Sequence, residues 1–322
     1  MKIILSLIFI SVFTSCSTKT KEQDIELLNN AKDSFEKISG PVIDIEKEAA
    51  KISLGKKLYF ETKLSINNKI SCNSCHQLDK FGVDNEPTSP GHDGTRGGRN
   101  SPTVYNAAFN LAQFWDGRAK DLAAQAIGPI LNPIEHGLKT EAGALKKIDT
   151  SEYRDLFKQA FPQQKKSFTY KNIGHAIAAF EKTLISPSRF DDFLAGDFNA
   201  LTNIEKKGLH TFIETGCIAC HDGKGIGGGQ YQKLGAVEEF KTKDMGRFDL
   251  TKDEDDKHVF KVPTLRNIVH TGPYLHDGSV KNLDEMIKIM GKYQLGVDIP
   301  SEDIALIKSF LGALSAKKLP KI

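Results

Sequence analysis

The chain has 322 residues, a formal net charge of +3 and 39% hydrophobic residues, and it contains five cysteines, four methionines and one tryptophan. That is enough chain for two domains and the composition of a globular protein. A near-neutral balance without basic runs beyond short Lys pairs gives nucleic acid no footing as a partner.

From the N-terminus, Met1-Lys2 and the apolar stretch Ile3–Phe13 read as an export signal over residues 1–15, too short to span a bilayer. Phe13-Thr14-Ser15-Cys16 resembles a bacterial lipoprotein cleavage site, although Phe13 stands where an aliphatic residue is usual. Cys16 is therefore expected to carry lipid, with residues 16–23 as a polar tether, which predicts a periplasmic protein touching a membrane only through that anchor. The alternative is an ordinary secreted protein with an incidental Cys.

Apolar periodicity predicts helices over Ile25–Ile38, Glu46–Phe60, Leu122–Ile130, Tyr153–Phe161, Ile173–Ile185, Ile204–Thr215, Leu283–Met290 and Asp303–Leu314. Thr202 with Glu205, and Asn282 with Glu285, have capping-box spacing, and Ser301 is placed to cap the last helix. Long Gly-, Asn-, Asp- and Pro-rich segments, notably Gly82–Asn106 and Asp222–Gly235, separate the helices. Loops of that length are usually functional or wrap something. Strand signals are weak. The expected fold is mostly α, in two domains. The division falls at Ser186-Pro187-Ser188, between an N-terminal domain at 24–186 and a C-terminal domain at 187–322.

Haem enters through two copies of one motif, Cys72-Asn73-Ser74-Cys75-His76 and Cys217-Ile218-Ala219-Cys220-His221. Each Cys pair can attach a haem by two thioether bonds, and the following His can ligate iron. Zinc or a redox dithiol is the competing use of such spacing. Two copies behind an export signal favour two haem c groups, so the mostly α fold is expected to comprise two cytochrome c-like domains, each built around one covalently bound haem.

The sixth ligands then decide the chemistry. The methionines are Met1, Met245, Met286 and Met290, so the first haem has no nearby thioether and is bis-His or open. The second has Met245, or Met286 and Met290 one helical turn apart. A thioether raises the potential relative to a second imidazole, so a low-potential first haem and a high-potential second haem are expected. Among the first-half histidines, His175 lies off the apolar stripe of its helix and reads as solvent-facing. His92 stands in Gly91-His92-Asp93-Gly94-Thr95-Arg96-Gly97-Gly98, a loop able to change conformation at low cost.

The segments Asn100-Ser101-Pro102-Thr103-Val104-Tyr105-Asn106-Ala107, Gln113-Phe114-Trp115-Asp116-Gly117-Arg118-Ala119, Gln125-Ala126-Ile127-Gly128-Pro129-Ile130 and Asn132-Pro133-Ile134-Glu135 resemble the bacterial di-haem cytochrome c peroxidases. So do Val262-Pro263-Thr264-Leu265-Arg266-Asn267 and Gly272-Pro273-Tyr274-Leu275-His276-Asp277-Gly278, and the likeness runs from about residue 40 to 315. The resemblance implies reduction of hydrogen peroxide with electrons from a small cytochrome c or copper protein, in a homodimer. It makes His76 the proximal and His92 the displaceable distal ligand of the peroxidatic haem. Gln125 and Glu135 are implied in the peroxide pocket, with Trp115 between the haems. His221 and Met290 are implied as ligands of the electron-accepting haem. Asn100, Thr271 and Pro273 are implied at a calcium ion between the domains, the last two through backbone carbonyls, an oxygen set that suits calcium. His136 departs from the family pattern, which usually has Met there. Two rival readings are a relative that oxidises a protein substrate, which has Tyr as the distal ligand of its second haem, and a non-enzymatic electron carrier.

Overall fold

The computed structural model describes residues 11–320, with side chains from residue 21. Residues 1–10, most of the expected export signal, lie outside the described residues, as does the side chain of Cys16. Helix α1 runs Ser11–Ser34 and includes the segment read as a tether. It is followed by α2 (Ala49–Tyr59), α3 (Cys72–Cys75), α4 (Leu122–Leu131), α5 (Glu141–Lys147), α6 (Ser151–Ala160) and α7 (Tyr170–Glu181). The second half holds α8 (Arg189–Leu194), α9 (Asn203–Glu214), α10 (Phe248–Thr251), α11 (Leu283–Ile289) and α12 (Ser301–Ala313). The two three-residue strands β1 (Tyr231–Lys233) and β2 (Val259–Lys261) pair antiparallel.

Two helix crossings of the same design organise the molecule. A Cβ on Gly55 of α2 would lie 1.8 Å from the Ala176 carbonyl oxygen of α7, and one on Gly208 of α9 would lie 2.0 Å from that of Leu306 on α12. The backbones therefore touch where only glycine fits. Phe180 and Phe310 close the two contacts in the same way, each with its Cβ at 3.0 Å. Around the first crossing packs a core that includes Leu54, Leu58, Ile130, Phe157, Ile173 and Ile177; around the second, Phe190, Phe193, Leu209, Phe212, Ile307 and Leu314.

Helix starts follow side-chain chemistry. Asp121, Thr140, Thr150 and Thr169 each accept a hydrogen bond from a backbone N–H in the first turn of α4 to α7. Thr202 and Glu205 form the expected reciprocal box. Asn282 caps α11 by accepting from Asp284 N, so Glu285 takes no part in a box. Ser301 is the first helical residue and Pro300 occupies the cap position, which corrects the expected role of Ser301; Pro is well placed there because its fixed φ leads into a helix. The short helices α5 and α8 escape periodicity analysis because one or two turns carry too few apolar positions.

Chain order and packing differ at the ends. Residues 24–38, assigned to the first domain by their place in the chain, pack on the second core: Leu27, Leu28, Ala31 and Phe35 join that cluster, and Ile38 N donates to Asp191 Oδ1 at 2.8 Å. An amphipathic helix buries its stripe wherever a core remains open. At the other end, Leu319 packs on the first core.

The halves repeat one scaffold. Asn106 and Asn267 are both left-handed, with φ of 62° and 64°. Asn106 N donates to Leu184 O and Asn267 N to Leu314 O. Their Oδ1 atoms accept from Ser186 N (2.9 Å) and Ala316 N (2.8 Å). Both amides also donate to the buried Ser186 hydroxyl, at 2.8 and 3.0 Å. Thr103 and Thr264 donate to the carbonyls of Phe81 and Gly225, both at 2.6 Å. The same offset, 161 positions (267 minus 106), pairs Trp115 with His276 and Asn100 with Lys261.

These last pairs cross the junction. Asn100 N donates to His276 O and Lys261 N donates to Trp115 O, each at 2.7 Å. Arg99 adds a fork to Asp244 at 2.7 and 2.8 Å, and Phe81 stacks on His270 with centroids 4.0 Å apart. The junction is thus held by directional bonds from both halves.

Candidate active site

In each Cys-x-x-Cys-His motif the backbone turns tightly enough to put both sulfurs on one side: His76 N donates to Cys72 O and His221 N to Cys217 O, both at 3.0 Å. The four cysteines are free thiols. Burial raises all four thiols, Cys75 and Cys217 to about 11, so none is an activated nucleophile. His76 and His221 are buried, and the Nδ1 of each lacks a hydrogen bond. Burial keeps both imidazoles neutral, His221 down to about 4, against the opposing pull of nearby carbonyls, among them Pro102 and Pro263. Neutral imidazole beside two free thiols is the donor set that covalent haem requires.

Cys217, Cys220 and His221 line a cleft of about 230 Å³ whose other walls include Met286, Met290, Leu283 and Ile307. Of the thioether candidates, Met286 and Met290 both stand on the wall of this cleft, whereas Met245 is not among its lining residues. Met290 opens the π-helical turn Met290–Leu295, which follows α11 directly.

In the first half, α4 ends at Leu131, and a tight turn, with Gly137 N donating to Asn132 O at 2.8 Å, presents Glu135. Gly137 has φ of 77°, and a Cβ there would meet the His92 ring at 2.5 Å. Glu135 lines a second cavity, of about 500 Å³, with Phe114, Arg118, Lys120 and Asn132. It is the only carboxylate in that wall. Burial raises the Glu135 carboxyl above its usual range; the Arg118 charge and the Asn132 amide, which donates to Oε1 at 2.7 Å, oppose the shift. Arg118 is aimed by a fork to Asp116 at 3.0 Å and by stacking 3.5 Å over the Phe114 ring.

His92 is half-buried, its N–H donates to Glu135 O at 2.8 Å, and its Nε2 faces the Pro133 carbonyl at 3.0 Å. A ring nitrogen facing a carbonyl carries its proton, so this nitrogen is not presented as a free ligand. Gln125 sits half-buried on α4, one turn before the cavity-lining Pro129, without itself lining that cavity. His136 is buried and strapped to Leu64, its Nδ1 lying 2.8 Å from that carbonyl, while Ile66 N donates to His136 O. His175 is exposed.

Asn100, Trp115, Thr271 and Pro273 are brought together in the wall of the cleft that Cys217 and His221 line, at the junction of the halves. Trp115 Nε1 donates to Asn100 O at 2.9 Å. The Asn100 amide donates to Glu86 O and Pro87 O at 3.0 and 3.3 Å, and the Asn85 amide donates to the His270 and Gly272 carbonyls on either side of Thr271.

Sequence reasoning missed Phe114, Arg118 and Asn132 as supports of Glu135, although all three lie inside the motifs given above. It also missed two buried ionisable groups. Glu181 has a carboxyl pushed up to about 8 by burial, and its Oε2 lacks a hydrogen bond. Lys261 is 5% exposed. Neither carries a sequence signal, since a lone charged residue ordinarily reads as a surface group.

Residues 49–199 match the family described as di-haem cytochrome c peroxidase. The chain is 45% identical over 271 residues to cytochrome c551 peroxidase of Pseudomonas aeruginosa, covering 82% of this chain and 78% of that one. It is 46% identical over 265 residues to the cytochrome c551 peroxidase of Nitrosomonas europaea, covering 81% and 79%. Among solved structures, a MauG-like protein associated with microbial copper homeostasis superposes with a TM-score of 0.78 at 26% identity, covering 88% of this chain and 94% of that one. With two haem-attachment motifs on a duplicated helical scaffold, the chain belongs to the di-haem cytochrome c peroxidase family.

Proposed function

We propose that the protein reduces hydrogen peroxide to two waters at the first-half site, with Glu135 as its acid–base group and two electrons delivered by a small cytochrome c or copper protein. The carrying observation is Glu135 itself, the lone carboxylate in the wall of an open cavity, held by Asn132 and raised by burial. Haem, when bound at the two motifs, supplies the electron-transfer and Lewis-acid chemistry.

The protein's own residues do the rest. The Glu135 carboxylate takes the proton from one peroxide oxygen and returns it to the other, so that the departing oxygen leaves as water. Two protons and two electrons enter per peroxide, and two waters leave. Gln125 holds peroxide by hydrogen bonds. His92, on its Gly-rich loop, is the group that vacates the site, and the Pro133 carbonyl offers its ring a resting partner. Trp115 stands at the junction, where Lys261 N and Asn100 O fix its plane. His221 and Met290 hold the second site at higher potential. Asn100, Thr271 and Pro273 supply oxygens to a calcium ion at the junction. We further infer a periplasmic homodimer anchored by lipid at Cys16.

The test is Glu135→Gln in haem-loaded protein. Peroxide turnover is expected to fall about 100-fold or more while both haem spectra stay as in the wild type. Undiminished turnover refutes the assignment of Glu135.

A further inference from the structure

Lys261, the last residue of β2, is buried in the wall of the cleft that Cys217, Cys220 and His221 also line. Removing an ammonium from water without a partner costs several kcal/mol, and the other well-buried cations of this chain avoid that cost. Arg266 is fully buried and forks onto Asp191 with two bonds of 2.9 Å. Arg99 bonds Asp116 and Asp244. Lys206 pairs with Asp24 at 2.6 Å. Among the described residues, no carboxylate or carbonyl receives the Lys261 ammonium. Burial alone pulls its pKa down to about 8, with no charged neighbour opposing the shift.

The duplication sharpens the contrast. Its counterpart in the first half, 161 positions earlier, is Asn100, a neutral amide. Both residues make the same backbone bond across the junction, so the scaffold needs no charge at this position. The cation is specific to the second half, and to the cleft where a haem is attached. Haem carries two propionate carboxylates, the anions such a cleft would otherwise lack.

We propose that Lys261 is the counter-ion of a propionate on the haem held by Cys217, Cys220 and His221. The inference rests on the di-haem reading above and adds a role for this residue. A fixed positive charge in a low-dielectric wall favours the reduced iron, which carries one positive charge fewer. Lys261 therefore helps the thioether ligand keep this haem at high potential.

The experiment is a potentiometric titration of holoprotein, followed by absorption without peroxide, for wild type, Lys261→Gln and Lys261→Arg. Lys261→Gln is expected to weaken reduction of the second-half haem about tenfold, a downward shift of about 59 mV for one electron, with a smaller shift at the first haem. Lys261→Arg keeps the charge and should stay near wild type. An unmoved potential in the Gln variant, or an equal shift in both variants, overturns the proposal, because the second pattern reports packing rather than charge. If the Gln variant does not load haem, a structure of wild-type holoprotein decides. Nζ within about 4 Å of a propionate oxygen supports the pair, and Nζ directed elsewhere overturns it. A wild type lacking two unequal haems sinks the di-haem reading instead, a result distinct from an unresponsive Lys261.

Discussion

Replacing Glu135 by Gln tests the chemistry at a single atom. Glutamine keeps the volume, and its amide oxygen still accepts the 2.7 Å bond from Asn132. Arg118 keeps its own anchor on Asp116, so the cavity wall should hold its shape. What vanishes is the capacity to take and return a proton. That contribution is about 10²–10⁴-fold, or about 2.7–5.5 kcal/mol of barrier at 1.36 kcal/mol per decade. The assay is steady-state peroxide turnover with a reduced small cytochrome donor, measured as kcat/KM across pH. In wild type the ionised carboxylate is the working form, so the rate should fall as pH drops through the folded pKa of Glu135. Burial has raised that pKa, so the acid limb should lie above the ordinary carboxylate range of about 4.3, and Glu135→Gln should lack it. Asn132→Ala removes a donor that favours the carboxylate, so the limb should move to higher pH. Arg118→Gln acts in the same direction, since the Arg118 charge also favours the carboxylate. If Glu135→Gln keeps more than about a third of wild-type kcat/KM, or retains the same acid limb, proton handling by this residue is wrong.

Other perturbations probe the frame and the second site. Arg266→Met should cost about 3–5 kcal/mol in urea unfolding, because it strands Asp191, 4% exposed, without its guanidinium; a loss below about 1 kcal/mol would show that Ile38 N and Ser188 suffice to satisfy the carboxylate. Gly208→Val should destabilise at least as much as a typical overpacked core, about 1–3 kcal/mol, read as a lower urea midpoint, since its Cβ would strike the Leu306 carbonyl. Met290→Leu should abolish the thioether-to-iron absorption band and lower the potential of the second haem, whereas Met286→Leu should leave both; the reverse pattern reassigns the ligand. Chelation with EGTA should lower the thermal midpoint of the wild type reversibly, and Asn100→Ala should remove that response; equal responses in the two proteins count against Asn100 as a calcium ligand.

The sequence exposed the parts of the fold that depend on local spacing. Eight helices (α1, α2, α4, α6, α7, α9, α11 and α12) show in apolar periodicity, because each buries one stripe against a partner, and the attachment motifs show because thioether chemistry demands adjacent Cys and His. The capping box at Thr202 and Glu205 was legible for the same reason, since it closes within one turn. Properties created by distant segments were not legible. Nothing in residues 24–38 says that Leu27, Leu28, Ala31 and Phe35 pack on the second core rather than the first. Arg118 reads as one more surface charge until Asp116 and Phe114 aim it toward Glu135. Lys261 and Glu181 look solvated because charged side chains are ordinarily exposed, and their burial comes from helices and strands far away in sequence.

The duplication explains how one scaffold can support two unlike sites. Positions that hold the frame are matched across the halves: Gly55 with Gly208, Phe180 with Phe310, Thr103 with Thr264, Asn106 with Asn267. Positions that face the cofactor clefts or the junction are not matched: Trp115 stands opposite His276, and Asn100 opposite Lys261. The buried carboxyl Glu181 follows Phe180, where Leu311 follows Phe310. The first half also carries the Gly-rich loop of His92 and the turn that presents Glu135, whereas the second half presents Met286 and Met290 to its cleft. Because the matched positions bear the packing, the unmatched ones are free to set charge and access at each site separately. A site that must admit a peroxide needs a polar, open wall with a proton carrier. A site that only stores an electron is better served by closed, sulfur-rich packing. Swapping a frame residue should therefore damage both activities through stability, while swapping an unmatched residue should shift one potential or one rate and leave the other half unchanged.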